Sequence, residues 1–263
     1  MLRRIGLFLL FFLCFLFLSG CDDEQIVSGN IFQVKRVIDG DTIELTNSEK
    51  VRYLGIDTPE TSKRSPEGDW VYNPQPYAEM AKDFNKKLVE GKSVRLEFDV
   101  EKRDKYNRLL AYCFVGDAFV NVRLLEEGLA MLYTSPPNVK YADLFVEKAK
   151  TARSLGKGIW SDDQTLSMAK AKDFIGQVKT LEGQVSRINK KDGVTIIGFT
   201  GENGKHAFKA VIFKGDSANF RKKGISIDDY LNKKVRIWGM IKEYKSGPEI
   251  IIRDPSQIEI VNE

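Results

Sequence analysis

The ten residues Val51-Arg52-Tyr53-Leu54-Gly55-Ile56-Asp57-Thr58-Pro59-Glu60 offer one arginine, two carboxylates and a proline that closes a strand. On a period-2 reading Arg52, Leu54 and Ile56 share one face, and Asp57 and Glu60 fall where the strand runs out. Carboxylates at a strand end can hold a hard cation, and an arginine further back can meet phosphate charge. Metal-assisted phosphoryl transfer needs that combination. The same run reads equally well as a buried strand followed by a capped turn, and taken alone it does not separate the two.

The elements around it decide what such residues can do. The chain has 263 residues, 42% hydrophobic and 30% charged, which is a globular composition with room for one large or two modest domains. Its charge is uneven. Asp22–Ala169 carries 21 Lys+Arg against 25 Asp+Glu, whereas Lys170–Glu263 carries 18 against 12, so the rear part is the better holder of a polyanion. The cysteines Cys14, Cys21 and Cys113 form no C-x-x-C pair, which excludes a structural zinc site. One histidine, His206, excludes any mechanism that needs two and reads as an ordinary strand residue.

At the N-terminus, Arg3 and Arg4 precede an apolar run from Ile5 to Leu18, a secretory h-region too short to span a bilayer comfortably. It ends Leu18-Ser19-Gly20-Cys21, which resembles the lipobox of bacterial lipoproteins. That resemblance implies a signal peptide over 1–20, acyl chains on Cys21 and a polar tether over 21–30. It also implies an exported chain anchored to a membrane of the cell envelope, facing periplasm or exterior. A plain signal peptide or an uncleaved anchor is the other reading. Cys113 would then be the only remaining thiol, with no intramolecular disulfide.

Beyond the tether, Asp39-Gly40 between two apolar runs predicts a hairpin over Ile31–Leu45, in which Asp39-Gly40-Asp41-Thr42 is a turn. Asn47–Lys50 turns into the opening strand. Thr61–Pro76 reads as a long loop, either a lid or a mobile segment. A stripe of Tyr77, Met80, Phe84 and Leu88 predicts a helix over Pro76–Glu90, stopped by Gly91. Ser93–Val100 alternates as a strand. Glu101–Tyr112 reads as a charged hairpin loop, and Asn121–Glu127 and Tyr141–Leu155 read as helices. Strands first and helices interleaved later point to a mainly β fold with α: a small barrel carrying packed helices.

Asp39-Gly40-Asp41-Thr42, Arg52-x4-Asp57-Thr58-Pro59-Glu60-Thr61, Asp104-Lys105-Tyr106-x-Arg108-x2-Ala111-Tyr112 and Gly158-Ile159-Trp160 occur in order. Together they closely resemble the thermonuclease (staphylococcal nuclease-like) family over Ile31–Ser161. The family's fold is an OB-fold β-barrel with three packed helices. The resemblance implies that Asp41, Asp57 and the Thr58 carbonyl ligate Ca2+, which accepts several oxygen donors in irregular geometry. It implies that Glu60 orients or deprotonates the attacking water. Arg52 and Arg108 would clamp the phosphate with planar guanidiniums. Lys105, Tyr106 and Tyr133 would contact nucleotide. Asn107 stands where the family commonly has glycine, and asparagine tolerates the left-handed turn. The loop Lys63–Gln75 departs from the family pattern, so its contacts at the substrate mouth do not carry over.

Ser161–Gly176 is polar and reads as a linker, taken as 162–176. From 177 to 263 a three-strand meander, a short helical region within Ser217–Tyr230 and two further strands resemble a second, five-stranded OB-fold barrel of the anticodon-binding type. On Val235–Tyr244 one face carries Arg236, Trp238, Met240, Lys242 and Tyr244, so Trp238 and Tyr244 are candidates to stack bases of single-stranded nucleic acid. The alternative is that these aromatics pack against the first domain. The expectation is therefore a lipid-anchored, monomeric, calcium-dependent nuclease acting on DNA and RNA, single strands preferred, with an accessory binding barrel. The competing expectation is a non-catalytic envelope lipoprotein that binds nucleic acid or protein.

Overall fold

The structure, a computed structural model, describes residues 30–162, 164–200, 206–244 and 247–261, with only the backbone of residues 206 and 207. The expected leader Met1–Gly20, the lipidation candidate Cys21, all but the last residue of the tether and the side chain of His206 lie outside the described residues. Among those residues no helix is long and apolar enough to cross a membrane.

The first unit contains β1 (Ile31–Asp39), β2 (Thr42–Leu45), β3 (Lys50–Tyr53), β4 (Gly55–Asp57), β5 (Ser62–Arg64), β6 (Trp70–Tyr72), α1 (Ala78–Val89), β7 (Ser93–Arg103), β8 (Leu109–Val115), β9 (Ala118–Phe119), α2 (Val120–Glu126), β10 (Met131–Tyr133) and α3 (Ala142–Ser154). Its sheet runs β3-β2-β1-β7-β8-β9, and a further parallel pairing of β3 with β8 closes a five-stranded barrel. Val34, Ile43, Val51, Leu96 and Ala111 point into it, and Leu124 of α2 and Phe145 of α3 close over it. The fold class is the expected one, mainly β with three packed helices. Cys113 is buried in the same core, and that burial pushes its thiol up to about 12.

The opening stretch is not one strand. At Gly55 the backbone turns to φ 78°, so β4 leaves the barrel and pairs antiparallel with β10 instead. The expected common face for Arg52, Leu54 and Ile56 is thereby lost. In a straight strand Arg52 and Asp57 would sit about 17 Å apart on opposite faces. The kink folds Asp57 Oδ1 back to 2.7 Å from Arg52 Nη2. Buried Asn121 holds the corner: its Nδ2 donates to the Leu54 carbonyl at 2.8 Å, and its Oδ1 accepts from Cys113 N at 3.0 Å. Gly40, in the β1–β2 turn, is required by space, because a Cβ there would run into Thr58 and Ala81. The expected loop over Thr61–Pro76 contains a small hairpin, β5 against β6.

The second unit comprises β11 (Thr165–Ser167), β12 (Val178–Lys191), β13 (Val194–Thr200), β14 (His206–Phe213), α4 (Ser217–Lys222), β15 (Lys234–Met240), β16 (Lys242–Tyr244), β17 (Gly247–Ile251) and β18 (Ile258–Ile260). Its sheet follows β16-β17-β14-β13-β12-β15-β18, with β11 alongside β12. Long β12 serves both halves: Val178–Gln184 pairs with β15 and Val185–Lys191 with β13, with a bulge at the bend. The helix α4 follows the three-strand meander β12–β14 and precedes β15, as expected. The single strand expected over Glu249–Val261 divides in two, because Asp254, Pro255 and Gln257 form a capped turn between β17 and β18. The segment 162–176 is folded rather than a bare connection: Leu166, Met168 and Ala171 belong to the second core, with Leu181, Phe199 and Ile237.

The two units meet through Ala152, Ile159 and Trp160 on one side and Trp238 on the other. Hydrogen bonds add register: Thr134 Oγ1 donates to the Arg253 carbonyl at 3.1 Å and accepts from Asn219 Nδ2 at 3.1 Å.

Two outcomes follow for stability. In Gly55→Ala the new Cβ must overlap the Phe145 ring at a φ that alanine resists. Urea unfolding should show a loss of at least about 3 kcal/mol. Buried Asp216 has its carboxyl raised from 3.8 to about 6 by burial, with Arg253 pulling the other way. Its folded value exceeds its unfolded one, so its favourable contribution is complete below about pH 4 and lost as pH rises through 6. Asp216→Asn should therefore match the parent near pH 4 and unfold at higher temperature at pH 7, by up to about 3 kcal/mol in stability.

Candidate active site

Arg52 is the centre of the site. Its side chain is 13% exposed, and Nη1 lies 3.0 Å from Asp41 Oδ2 while Nη2 lies 2.7 Å from Asp57 Oδ1. Nη1 also donates to the carbonyls of Tyr53 and Ile56, at 3.0 and 2.8 Å, so the kinked backbone itself fixes the guanidinium plane. Desolvation works against the charge of Arg52, but Asp41, Asp57 and Glu60 outweigh it and its pKa rises.

Asp41 sits in the β1–β2 turn, directly before β2, and is 4% exposed. Its Oδ2 accepts from the Thr58 backbone N–H at 2.9 Å and its Oδ1 from the Thr42 hydroxyl at 3.0 Å. The Asp41–Thr58 bond joins the first motif to the second and explains why Thr58 packs so closely on Gly40. Asp57 is raised by burial, with Arg52 opposing, Asp41 adding to the rise, and Lys242 and Arg253 of the second unit pulling it down.

Glu60 stands at the edge with its outer side in solvent. Crowding by the surrounding protein, a proton shared with Asp39, and the charges of Asp41, Asp39 and Asp57 push its carboxyl up to about 8. Asp39 also rises, first through burial. The sequence reading left Asp39 as a turn residue; the signal for its role was its place two residues before Asp41.

Asp41, Asp57 and Glu60 thus surround a single buried guanidinium, with Asp39 next to Glu60, a local excess of negative charge. Asp41, Asp57 and the Thr58 carbonyl offer oxygen donors alone, a chemistry that suits a hard dication with water completing its shell. Among the described residues no three Asp, Glu, His or Cys side chains are grouped as a complete ligand set, so any such ion would draw on backbone and water as well.

Glu60 lines a cleft of about 900 Å³ together with Asp39, Thr42, Tyr106 and Arg108. Arg108 is aimed by Asp104, whose Oδ2 accepts from Arg108 Nε at 2.7 Å while its Oδ1 accepts from the backbone of Tyr106 and Arg108. Burial opposes the charge of Asp104, but these bonds hold its carboxyl below the usual range. The tight loop needs Asn107 at φ 65°, in keeping with asparagine in place of glycine. Arg103 ties the loop to the β2–β3 turn through a fork onto Glu49, at 2.9 Å on both oxygens. Tyr106 is 68% exposed, with Lys105 Nζ 5.0 Å and Arg108 Cζ 5.6 Å from its ring centroid.

Tyr133, on β10, lies between two arginines: Arg52 Cζ is 5.9 Å and Arg253 Cζ 3.8 Å from its ring centroid. Arg253 comes from the second unit, and with Lys242 it lines a narrow crevice that also reaches Asp57 and Tyr133. The strand period had put Lys242 on a binding face, but nothing in the sequence marked Arg253 or placed either cation beside Asp57, because that depends on how the units dock. Trp238 is 7% exposed and buried at the junction beneath Arg153, whose Cζ is 4.0 Å from the ring. A ring covered in this way offers no face to a base, so Trp238 is a packing residue. Tyr244 is 57% exposed beside Lys209, but it does not line the cleft.

Residues 50–162 match the family described as Staphylococcal nuclease homologue. The thermonuclease of Staphylococcus intermedius is 44% identical over 137 residues, 51% of this chain and 78% of the relative. That of Staphylococcus hyicus is 40% identical over 134 residues, 50% of this chain and 76% of the relative. Endonuclease YncB of Bacillus subtilis is 47% identical over 131 residues, 48% of this chain and 59% of its own length. With Arg52, Asp57 and Glu60 drawn together by the kink at Gly55 and Arg108 aimed into the cleft beside them, the chain belongs to the staphylococcal nuclease family.

Proposed function

We propose that this protein is a calcium-dependent nuclease that hydrolyses phosphodiester bonds in DNA and RNA, with single strands preferred. The observation that carries this reading is Arg52 held between Asp41 and Asp57, with Glu60 beside them and Arg108 in the adjoining cleft. The relatives named thermonuclease and endonuclease support it.

Asp41, Asp57 and the Thr58 carbonyl would hold the calcium ion, which would offset charge on the phosphate oxygens and on the departing alkoxide. Glu60, the carboxyl that faces solvent, takes a proton from the attacking water when in its ionised form. The water oxygen bonds to phosphorus as the bond to the 5′ oxygen breaks. The 5′ oxygen takes a proton from solvent and leaves, and a 3′-phosphate remains. Arg52 and Arg108 carry the added negative charge while phosphorus is five-coordinate, a stabilisation larger in the transition state than in the bound substrate. Lys105, Tyr106 and Tyr133 flank the nucleotide. The second barrel serves the same substrate through the cations Lys242 and Arg253 rather than through Trp238, and Tyr244 is an outlying contact. In the cell the chain acts as a monomer, exported and anchored by lipid on Cys21.

The purified full-length protein should cleave single-stranded DNA when calcium is added and stop on chelation; no calcium-dependent cleavage at any pH from weakly acidic to alkaline would sink the enzyme reading. Arg108→Ala should lower kcat by at least about a hundredfold. Its affinity for DNA, measured with chelator present, should change far less, and unchanged turnover would show that Arg108 has no part in the chemistry.

A further inference from the structure

The hairpin of β5 and β6 belongs to neither barrel. Its own pairing is short, Ser62 with Tyr72, Lys63 with Val71 and Arg64 with Trp70. Its base is clamped around Glu60: Gln75 N donates to the Glu60 carbonyl at 3.0 Å, Glu60 N to Gln75 Oε1 at 2.9 Å, and Asn73 N to the Thr61 carbonyl at 3.1 Å. The hairpin is therefore built at a fixed distance from the carboxylate that faces the cleft.

What it displays there is unusual for a surface. Trp70, Val71 and Tyr72 are consecutive and 68%, 45% and 67% exposed. Large apolar side chains grouped in the open mark a binding surface. Trp70 and Tyr72 share one face by the period of a strand. Arg64 lies across from Trp70, its Cζ 5.6 Å from the ring, and both line the cleft with Lys50 and Lys82. The Tyr72 hydroxyl bonds Glu79 of α1, which steadies that ring. The acidic residues of the hairpin, Glu67 and Asp69, are confined to its turn.

Trp70 lining a cleft of about 900 Å³ among cations, with Tyr72 exposed next to it on the same strand face, suits one occupant: the unpaired bases of a nucleic-acid strand whose phosphates run past Lys50, Lys82 and Arg108. A duplex hides its base faces in the stack and cannot use these rings. Resting on the nuclease reading above, we propose that the β5–β6 hairpin is a base-stacking arm, with Trp70 and Tyr72 as its platform, that selects single-stranded substrate beside the scissile phosphate.

Fluorescence isolates the contact, because Trp160 and Trp238 are 8% and 7% exposed and Trp70 is the exposed tryptophan. The full-length protein is titrated with a short oligodeoxythymidine, with chelator present so that nothing turns over. Quenching of the emission is expected, and Trp70→Phe should abolish the quenching while keeping most of the affinity. Trp70→Ala combined with Tyr72→Ala should weaken oligonucleotide binding about tenfold or more, with thermal unfolding unchanged because the hairpin lies outside both cores. Parental affinity in that double variant, or no quenching in a protein that cleaves single-stranded DNA, would overturn the stacking arm and leave the nuclease reading intact. Tight, quenching binding without calcium-dependent cleavage would support the arm and remove the nuclease reading. Equal affinity for a duplex of the same length would overturn the selection of single strands.

Discussion

A buried arginine between two aspartates sets the conditions for everything near it. Taking a guanidinium and two carboxylates out of water is costly, and their mutual attraction repays that cost only if geometry is good and the remaining donors are satisfied. Arg52 meets both conditions, with Asp41 and Asp57 as charge partners and two backbone carbonyls as further acceptors. Those carbonyls exist at that point only because the chain turns at Gly55. The kink in turn depends on Asn121, which meets the backbone polar groups that the departing strand leaves behind. Barrel, helix and turn are thus tied together by the needs of one side chain.

The same cluster carries more negative charge than Arg52 can balance. Asp39 and Glu60 are both pushed upward, first by burial and then by their like-charged neighbours. A cluster of carboxylates that raise one another in this way is poorly suited to pure architecture. It is well suited to receiving a cation, which would offset the carboxylates, and a phosphate drawn by the arginines.

Much of this was legible in the residues. The ordered motifs located Asp41, Arg52, Asp57, Glu60 and Arg108, and the hydrophobic stripes located three helices near their observed bounds. What could not be read was anything that depends on a bend or on docking. Period-2 reasoning assumes an unbroken strand, and a single left-handed residue at Gly55 was enough to change which side chains face one another. Trp238 and Lys242 alternate on a face that looks like a binding strand, yet the neighbouring domain covers the first and the second reaches a crevice beside Asp57. The short loop around Asn107 was readable because its demand is local, a left-handed residue between Asp104 and Arg108. The hairpin after Glu60 was hidden because turn residues and prolines dominate that stretch.

Arg253 resting on Tyr133 has one more consequence. A tethered accessory module can be traded for another in evolution or by engineering, since its partner does not depend on its shape. Here the second barrel supplies a guanidinium to an aromatic ring that also lies beneath Arg52, and the joining segment 162–176 is built into its core. A replacement domain would have to present a cation at the same spot and enter through the same folded connection. The junction between the two units is therefore part of the folded structure, and cutting the chain there would uncover Tyr133 and the apolar contact around Trp238.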